Sequence, residues 1–255
     1  MKTPKPADGI VWITGASSGI GLALAGAHLA RGWTVAVTAR RADPLQALAA
    51  RFPGRVIVQP ADITDADAIN AAVAAIEAEH KIARAILNAG TYERDTAETF
   101  SAARFRRQVD LNLTGTAICL EAIMPRMIAR SAGQIGLVAS LAGLAGLPGS
   151  GSYSATKAGL IALAESLKFD LDKRGVAISA ICPGFVKSPL TAKNTFPMPF
   201  LMEADAAATT IIKGLDANTF MIAFPEGLAR PLRILRSLPY GVFFPLIARG
   251  TKGQD

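Results

Sequence analysis

Five short runs of β-branched and aliphatic residues are each followed by a longer Ala- and Leu-rich segment, and this alternation constrains the fold more than any other feature. The runs are IVWIT (10–14), VAVT (35–38), VIV (56–58), AIL (85–87) and IGLVA (135–139), and a sixth, VAISAI, covers 176–181. Apolar runs of this length without polar alternation predict strands buried on both faces. The segments between them, near 19–31, 43–51, 65–80, 103–130 and 152–174, carry helical spacing. Strand, helix and strand in repeated order predict right-handed crossovers and an α/β fold with a doubly wound parallel sheet. A ligand then belongs beyond the carboxyl ends of the strands, where the strand order reverses. Informative residues should therefore gather just after strands.

The first such place is TGASSGIG, Thr14 to Gly21, between the first strand and the first helix. Gly15, Gly19 and Gly21 let the backbone turn tightly and approach a pyrophosphate, whose charge the free N–H groups of a helix N-terminus can hold. The same residues satisfy G-x-S-x-G, the nucleophile elbow of hydrolases. A serine triad needs a histidine base, and the chain offers only His28, inside the first helix, and His80, at the end of another. The hydrolase reading is rejected. Ser154-Ala155-Thr156-Lys157 likewise matches S-x-x-K, but neither of that chemistry's companion motifs follows it.

The second place is GSYSATKAGL, Gly151 to Leu160, where Tyr153 and Lys157 stand four apart on one helix face. A phenol titrates near about 10, and a lysine cation beside it can lower that by roughly 1 to 3 units. A tuned phenol can protonate a carbonyl oxygen. Taken alone, the pair reads better as a packed tyrosine and a solvated lysine, and the rest of the chain must decide.

With both ends read, the chain resembles the short-chain dehydrogenase/reductase family over about residues 8 to 225. The likeness rests on TGASSGIG, Asp62-Ile63, Asn88-Ala89-Gly90, Asn112, Ser140, Tyr153 with Lys157, and Pro183-Gly184, in that order. It implies a single Rossmann-type catalytic domain (1–224) with a seven-stranded sheet, and hydride transfer between a nicotinamide and a carbonyl or alcohol. By the same likeness Ser140 bonds the substrate oxygen, Tyr153 is the acid/base, Lys157 lowers its pKa and holds the nicotinamide ribose, and Asn112 anchors a water linking Lys157 to solvent. Ser17, Ser18 and Ile20 of the glycine turn, and Ala89 and Gly90, contact the cofactor. Asp62 accepts from the adenine, Ile63 gives a backbone contact, Asn88 lines the adenosine side, and Pro183, Gly184, Val186 and Ser188 cover the nicotinamide. Two departures stand out: the usual paired asparagine is Leu87-Asn88, and the loop threonine is Ser188. Two rival readings are an NAD-linked alcohol dehydrogenase and a non-catalytic dinucleotide sensor.

Cofactor choice follows from charge. An NAD-specific fold places a carboxylate about twenty residues beyond the glycines. Here the second strand ends Thr38-Ala39-Arg40-Arg41, two guanidinium groups suited to a phosphate, so NADPH is expected. The net charge of +7 also suits an anionic ligand. No nucleic-acid motif accompanies it, and the other basic clusters, Arg104 to Arg107 and Arg230 to Arg236, read as solvated faces.

With 51% hydrophobic and 18% charged residues and no marked boundary, 255 residues suit one globular domain. No run spans a bilayer and the start carries no secretory pattern, so a cytoplasmic protein is expected; a homodimer or homotetramer is expected as well. Cys119 and Cys182 read as reduced core thiols, with no metal site. The segment 191–202 is the expected substrate lid, and Phe196, Met198, Phe200 and Met202 suggest an apolar pocket. In the extension 225–255, Pro231 should start a helix with Pro231, Ile234, Leu235 and Leu238 on one face. Val242 to Ile247 follow as an apolar run broken by proline. Packing on the chain's own domain or a partner subunit, and peripheral contact with an anionic membrane, both fit that pattern.

Overall fold

A computed structural model describes residues 2–250. The first half runs β1 (Ile10–Thr14), α1 (Gly19–Ala30), β2 (Val35–Thr38), α2 (Ala42–Arg51), β3 (Val56–Val58), α3 (Ala66–Glu79) and β4 (Ile82–Leu87). The second runs α4 (Ala102–Val109), α5 (Gly115–Ala129), β5 (Gly133–Val138), α6 (Gly151–Lys173), β6 (Val176–Pro183), α7 (Ala204–Asp216) and β7 (Met221–Phe224). Two more helices, α8 (Glu226–Arg236) and α9 (Tyr240–Gly250), close the described chain. The seven strands form one parallel sheet in the order β3-β2-β1-β4-β5-β6-β7. The order reverses between β1 and β4, so the turns after those two strands open a crevice between them.

Each sheet face has its own core. Trp12, Leu87, Leu120, Ile123, Leu137 and Leu160 pack α3, α5 and α6 on one face. Val11, Ile13, Leu24, Val37, Leu45 and Ile211 pack α1, α2 and α7 on the other. This explains why the strands read as continuous apolar runs. The exceptions are the two edge strands: β3 is half-buried throughout and β7 alternates half-buried and buried residues.

Four boundaries differ from the sequence reading for physical reasons. β4 starts at Ile82 rather than at 85 because Arg84, a charge that argues against a buried strand, is fully buried and satisfied. It donates to Gln134 Oε1 at 2.6 Å and Asp216 Oδ1 at 2.7 Å, and lies 3.1 Å from His28 Nε2. The long helix expected over 103–130 is interrupted by a π-helical turn, Asp110–Thr114. Strand β7 and helix α7 lack a signal strong enough to read from single residues; β7 was implied only by the resemblance.

The fourth difference is in the extension. The helix starts at Glu226, so Pro231 lies in the middle of α8 and does not open it. The buried stripe therefore rotates: Ala229 and Leu232 are buried, whereas Ile234 is 64% exposed. Val242 to Ile247 are helical, with Pro245 inside α9, and Phe243 and Ile247 join the same core as Trp12 and Leu160. The two helices pack on the chain's own domain. No helix among the described residues is long and apolar enough to cross a membrane.

Candidate active site

The crevice between β1 and β4 is knitted by backbone and small polar groups. Thr14 Oγ1 accepts from the amides of Asn88 at 3.0 Å and Ala89 at 3.1 Å. Asn88 Nδ2 donates back to the carbonyls of Thr14 at 3.0 Å and Gly15 at 3.3 Å. Only glycine tolerates this approach at position 15, where φ is +67° and an added Cβ would lie 2.7 Å from the Cα of Ala89. The resulting cleft of about 550 Å³ is lined by Gly15, Ser17, Ser18, Gly19, Ile20, Arg40, Arg41, Asp62, Ile63, Asn88, Ala89, Gly90 and Ser188. These sequence-singled residues come together around one space.

Others do not face it. Gly21 is absent from the lining because it packs on the turn itself, where a Cβ would sit 2.4 Å from the Gly15 carbonyl oxygen. Val186 is buried and pairs in a short bridge with Met202. Gly184 lines a neighbouring pocket, and Pro183 ends β6. Arg40 and Arg41 are exposed at the rim, and no carboxylate pairs with either among the described residues. By contrast Arg104 and Arg107 meet Glu93, and Arg230 meets Glu226. Asp62 Oδ1 is taken by Thr64, whose amide donates at 3.0 Å and hydroxyl at 2.9 Å.

The tyrosine group forms beside this cleft. Ser140 leaves β5 and its Oγ accepts from the Ala142 amide at 3.1 Å, the strand-end cap that a serine there would make anyway. Its hydroxyl donates to the Pro183 carbonyl at 3.4 Å, and it stands with Tyr153, on the first turn of α6, in the wall of one pocket. Lys157, one turn further, is 3% exposed and donates to the Val138 carbonyl at 2.8 Å. Its Nζ lies 5.6 Å from the centre of the Tyr153 ring. Asn112 sits on the π turn: its Oδ1 accepts from the Thr91 amide at 2.7 Å, and its Nδ2 donates to Thr91 O at 2.9 Å and Thr156 Oγ1 at 3.1 Å. A π turn offsets the helix register locally, and here it turns Asn112 toward Gly90 and Lys157. Gly90 must stay small, since a Cβ would lie 3.2 Å from Asn112 Oδ1 and 3.4 Å from Lys157 Nζ.

Burial dominates the electrostatics. Tyr153 keeps part of its surface open to the pocket, yet its phenol is pushed up to about 12 by desolvation, with the Ser140 side chain pulling the other way. Lys157 is pushed down to about 8, also by burial. Burial rather than Lys157 therefore governs the phenol in this structure, and at neutral pH it is a protonated donor. Burial likewise pushes Cys119 and Cys182 up to about 12, so both free thiols are inert. Neither histidine approaches Ser17: His28 is tied to Leu24 O at 2.8 Å and lies against Arg84 on β4, and His80 caps α3.

Next to Tyr153 opens a second pocket of about 300 Å³. Ser140, Tyr153 and Tyr92 stand at one side, and Leu141, Leu147, Phe185, Leu190 and Phe196 line it further out. Leu228, Pro231, Leu232 and Leu235 of α8 and Leu246 and Ile247 of α9 complete it. Of the four lid residues expected to line a pocket, only Phe196 does. Phe200 is 59% exposed, Met198 accepts from Asn194 Nδ2, and Met202 packs on the opposite core. Two contributors were missed: Tyr92, whose ring meets that of Tyr153 edge-on at 5.1 Å, and the extension. A tyrosine two residues past Gly90 carries no motif, so no sequence signal marked it.

The class these features define is a dinucleotide-binding oxidoreductase, and comparison supplies the family. The short chain dehydrogenase family model matches residues 9–197. An uncharacterized oxidoreductase of Myxococcus xanthus is 42% identical over 91% of this chain and 93% of its own length. Sulfoacetaldehyde reductase of Chromohalobacter salexigens is 32% identical over 92% of this chain and 90% of its own. The crystal structure of a short-chain dehydrogenase from Streptomyces avermitilis superposes with a TM-score of 0.82 at 27% identity, covering 95% of this chain and 99% of that one. The chain belongs to the short-chain dehydrogenase family, and it is an oxidoreductase acting on alcohol or carbonyl groups.

Proposed function

We propose that the protein is an NADPH-dependent carbonyl reductase for an uncharged, apolar substrate. The observation that carries this reading is that Ser140 and Tyr153 stand together in the wall of a pocket whose lining residues include no charged side chain. The substrate carbonyl oxygen sits against Ser140 and Tyr153, which orient it by hydrogen bonding. NADPH, when bound, supplies the hydride to the carbonyl carbon. Tyr153 gives its phenolic proton to the oxygen as charge develops there. Lys157 holds its proton close behind, and Asn112, fixed by Thr91 and Thr156, keeps the route from Lys157 to solvent in place.

The glycine turn fits a dinucleotide, because the space a Cβ would fill at Gly15 and Gly19 is closed by backbone and Ser188. Arg40 and Arg41 fit the 2′-phosphate: they reach the cleft rim and no acid competes for them. Sulfoacetaldehyde, the substrate in one relative's name, is a small anion. This pocket offers no cation to meet one, which favours a neutral ketone, aldehyde or quinone with an apolar body.

The exposed Phe105 on α4 and Phe169 on α6 support a homodimer or homotetramer. On the outside of the extension, Ile234, Tyr240, Val242 and Phe244 are exposed beside Arg230, Arg233, Arg236 and Arg249. That pattern supports peripheral association with an anionic membrane, which would deliver a lipophilic carbonyl close to the pocket. The test of the main reading is a screen of neutral ketones, aldehydes and quinones with NADPH and NADH, followed at the nicotinamide absorbance band. Turnover confined to anionic aldehydes would overturn it.

A further inference from the structure

A helix start leaves its first amides without partners, and the residue before it usually supplies a side-chain oxygen. At α6 the local candidate does not. Ser150 points its hydroxyl backward, donating to Leu147 O at 2.9 Å and lying 3.3 Å from Ser154 Oγ, and it makes no capping bond. The cap arrives instead from the loop between β4 and α4. Asp95 Oδ2 accepts from the Ser152 amide at 3.0 Å and, in a short contact, from the Ser152 hydroxyl.

The carboxylate is 4% exposed, and its other oxygen, Oδ1, is buried without a hydrogen-bond partner. Holding a charge there is costly unless the helix start compensates it. The backbone reinforces the placement: the Asp95 amide donates to Gly149 O at 3.2 Å, and Asp95 and Ser150 pair in a short parallel bridge. Two residues of the same loop brace the same corner. Tyr92 donates its hydroxyl to Gly149 O at 3.1 Å and meets the Tyr153 ring, while Arg94 lies over Phe196 of the lid at 5.7 Å.

We infer that Asp95 is a positioning residue: it caps α6 from a distant loop and so fixes Tyr153, the next residue after Ser152, against Ser140. The inference rests on the proton-donor reading of Tyr153 proposed above. Lys157 lies a turn beyond the capped amides and has its own anchor at Val138, so it keeps its place when the cap is lost. Loss of Asp95 should therefore separate turnover from cofactor binding. A displacement of about 1 Å at a reacting group can lower turnover roughly a hundredfold.

The experiment compares the full chain with Asp95→Ala, Asp95→Asn and Ser152→Ala, using methyl nonyl ketone with NADPH and, separately, hydrogen exchange of the segment 150–156. For Asp95→Ala, kcat should fall about ten- to a hundredfold with the NADPH Kd within about twofold. Exchange in 150–156 should rise while that of 158–170 holds. Asp95→Asn, which keeps an acceptor oxygen for the Ser152 amide, should recover most of kcat. Wild-type kcat in Asp95→Ala, unchanged exchange in 150–156, or no recovery in Asp95→Asn would each overturn the proposal. If Asp95→Ala does not fold, Ser152→Ala decides: a smaller fall in kcat and a smaller rise in exchange support positioning, and no change in either assigns Asp95 to folding alone. If the unaltered chain leaves the ketone untouched, or Tyr153→Phe turns it over normally, the functional reading has failed, and the exchange measurement still decides whether Asp95 holds the first turn.

Discussion

The cleft beside the glycine turn and the pocket beside Tyr153 share Leu190 but are built by opposite means. The cleft is made from turns that leave strands β1, β2, β3 and β4, and the closest contacts between the first and last are backbone or small polar groups. The pocket is made from side chains of loops, of Tyr153 and of two helices more than seventy residues beyond it, and its lining is mostly apolar with no charged side chain. Phosphates and ribose demand fixed donors at fixed places, which only strand-end turns on a rigid sheet provide. An apolar body asks for volume and shape, which many residue combinations supply equally well. On the function proposed above, the difference places cofactor binding in the strand-end turns and selectivity in the loops and extension.

The largest effect expected at the boundary of the two regions is that of Tyr153→Phe. Turnover of methyl nonyl ketone should fall by roughly 10² to 10⁴, with the NADPH Kd nearly unchanged, because the phenol faces the pocket and not the cleft. Near-normal turnover in a steady-state assay would break the division. Within the cleft, NADPH should bind at least about tenfold more tightly than NADH, since one charge-assisted contact contributes about 1.5 to 3 kcal/mol and tenfold needs about 1.4. Fluorescence titration of Arg40→Ala should show the gap narrowed, and equal affinities in the unaltered chain would remove the phosphate role.

Within the pocket, Leu235→Trp should raise KM for methyl nonyl ketone by about tenfold while leaving KM for butanone alone, as apolar fit is worth about 1 to 3 kcal/mol per methylene. A parallel rise for both would show that α8 does not shape the far end. The smallest effect belongs to the outer face of the extension. Full-length protein should co-sediment in part with anionic vesicles at low salt, and Phe244→Ser, at a side chain 61% exposed, should weaken that several-fold without altering ketone turnover. If neither protein sediments, the exposed face has another use.

Legibility follows the same line. Val11, Ile13, Val35 and Val37 announce their strands because both faces of a central parallel strand are apolar. Gly15, Arg40, Asp62, Asn88 and Gly90 are marked by their places just after strands, and they line one cleft. The start of β4 at Ile82 is not legible, since no local rule shows that Gln134, His28 and Asp216 will satisfy a buried Arg84. Pro231 misled the reading of α8, because proline is favoured in a first turn but is held in mid-helix here by packing of Ala229 and Leu232.

The sequence by itself determined the alternation of strand and helix, the parallel sheet, the turn for a dinucleotide and the Tyr153–Lys157 spacing, because each is a short-range pattern imposed by backbone geometry. Tertiary structure alone decided three things. The π turn aims Asn112 at Gly90, burial rather than Lys157 governs the Tyr153 phenol, and α8 and α9 close a pocket around a residue distant in sequence. All three depend on which surfaces meet after folding and on how much water that meeting removes, and neither quantity is written in the spacing of neighbouring residues.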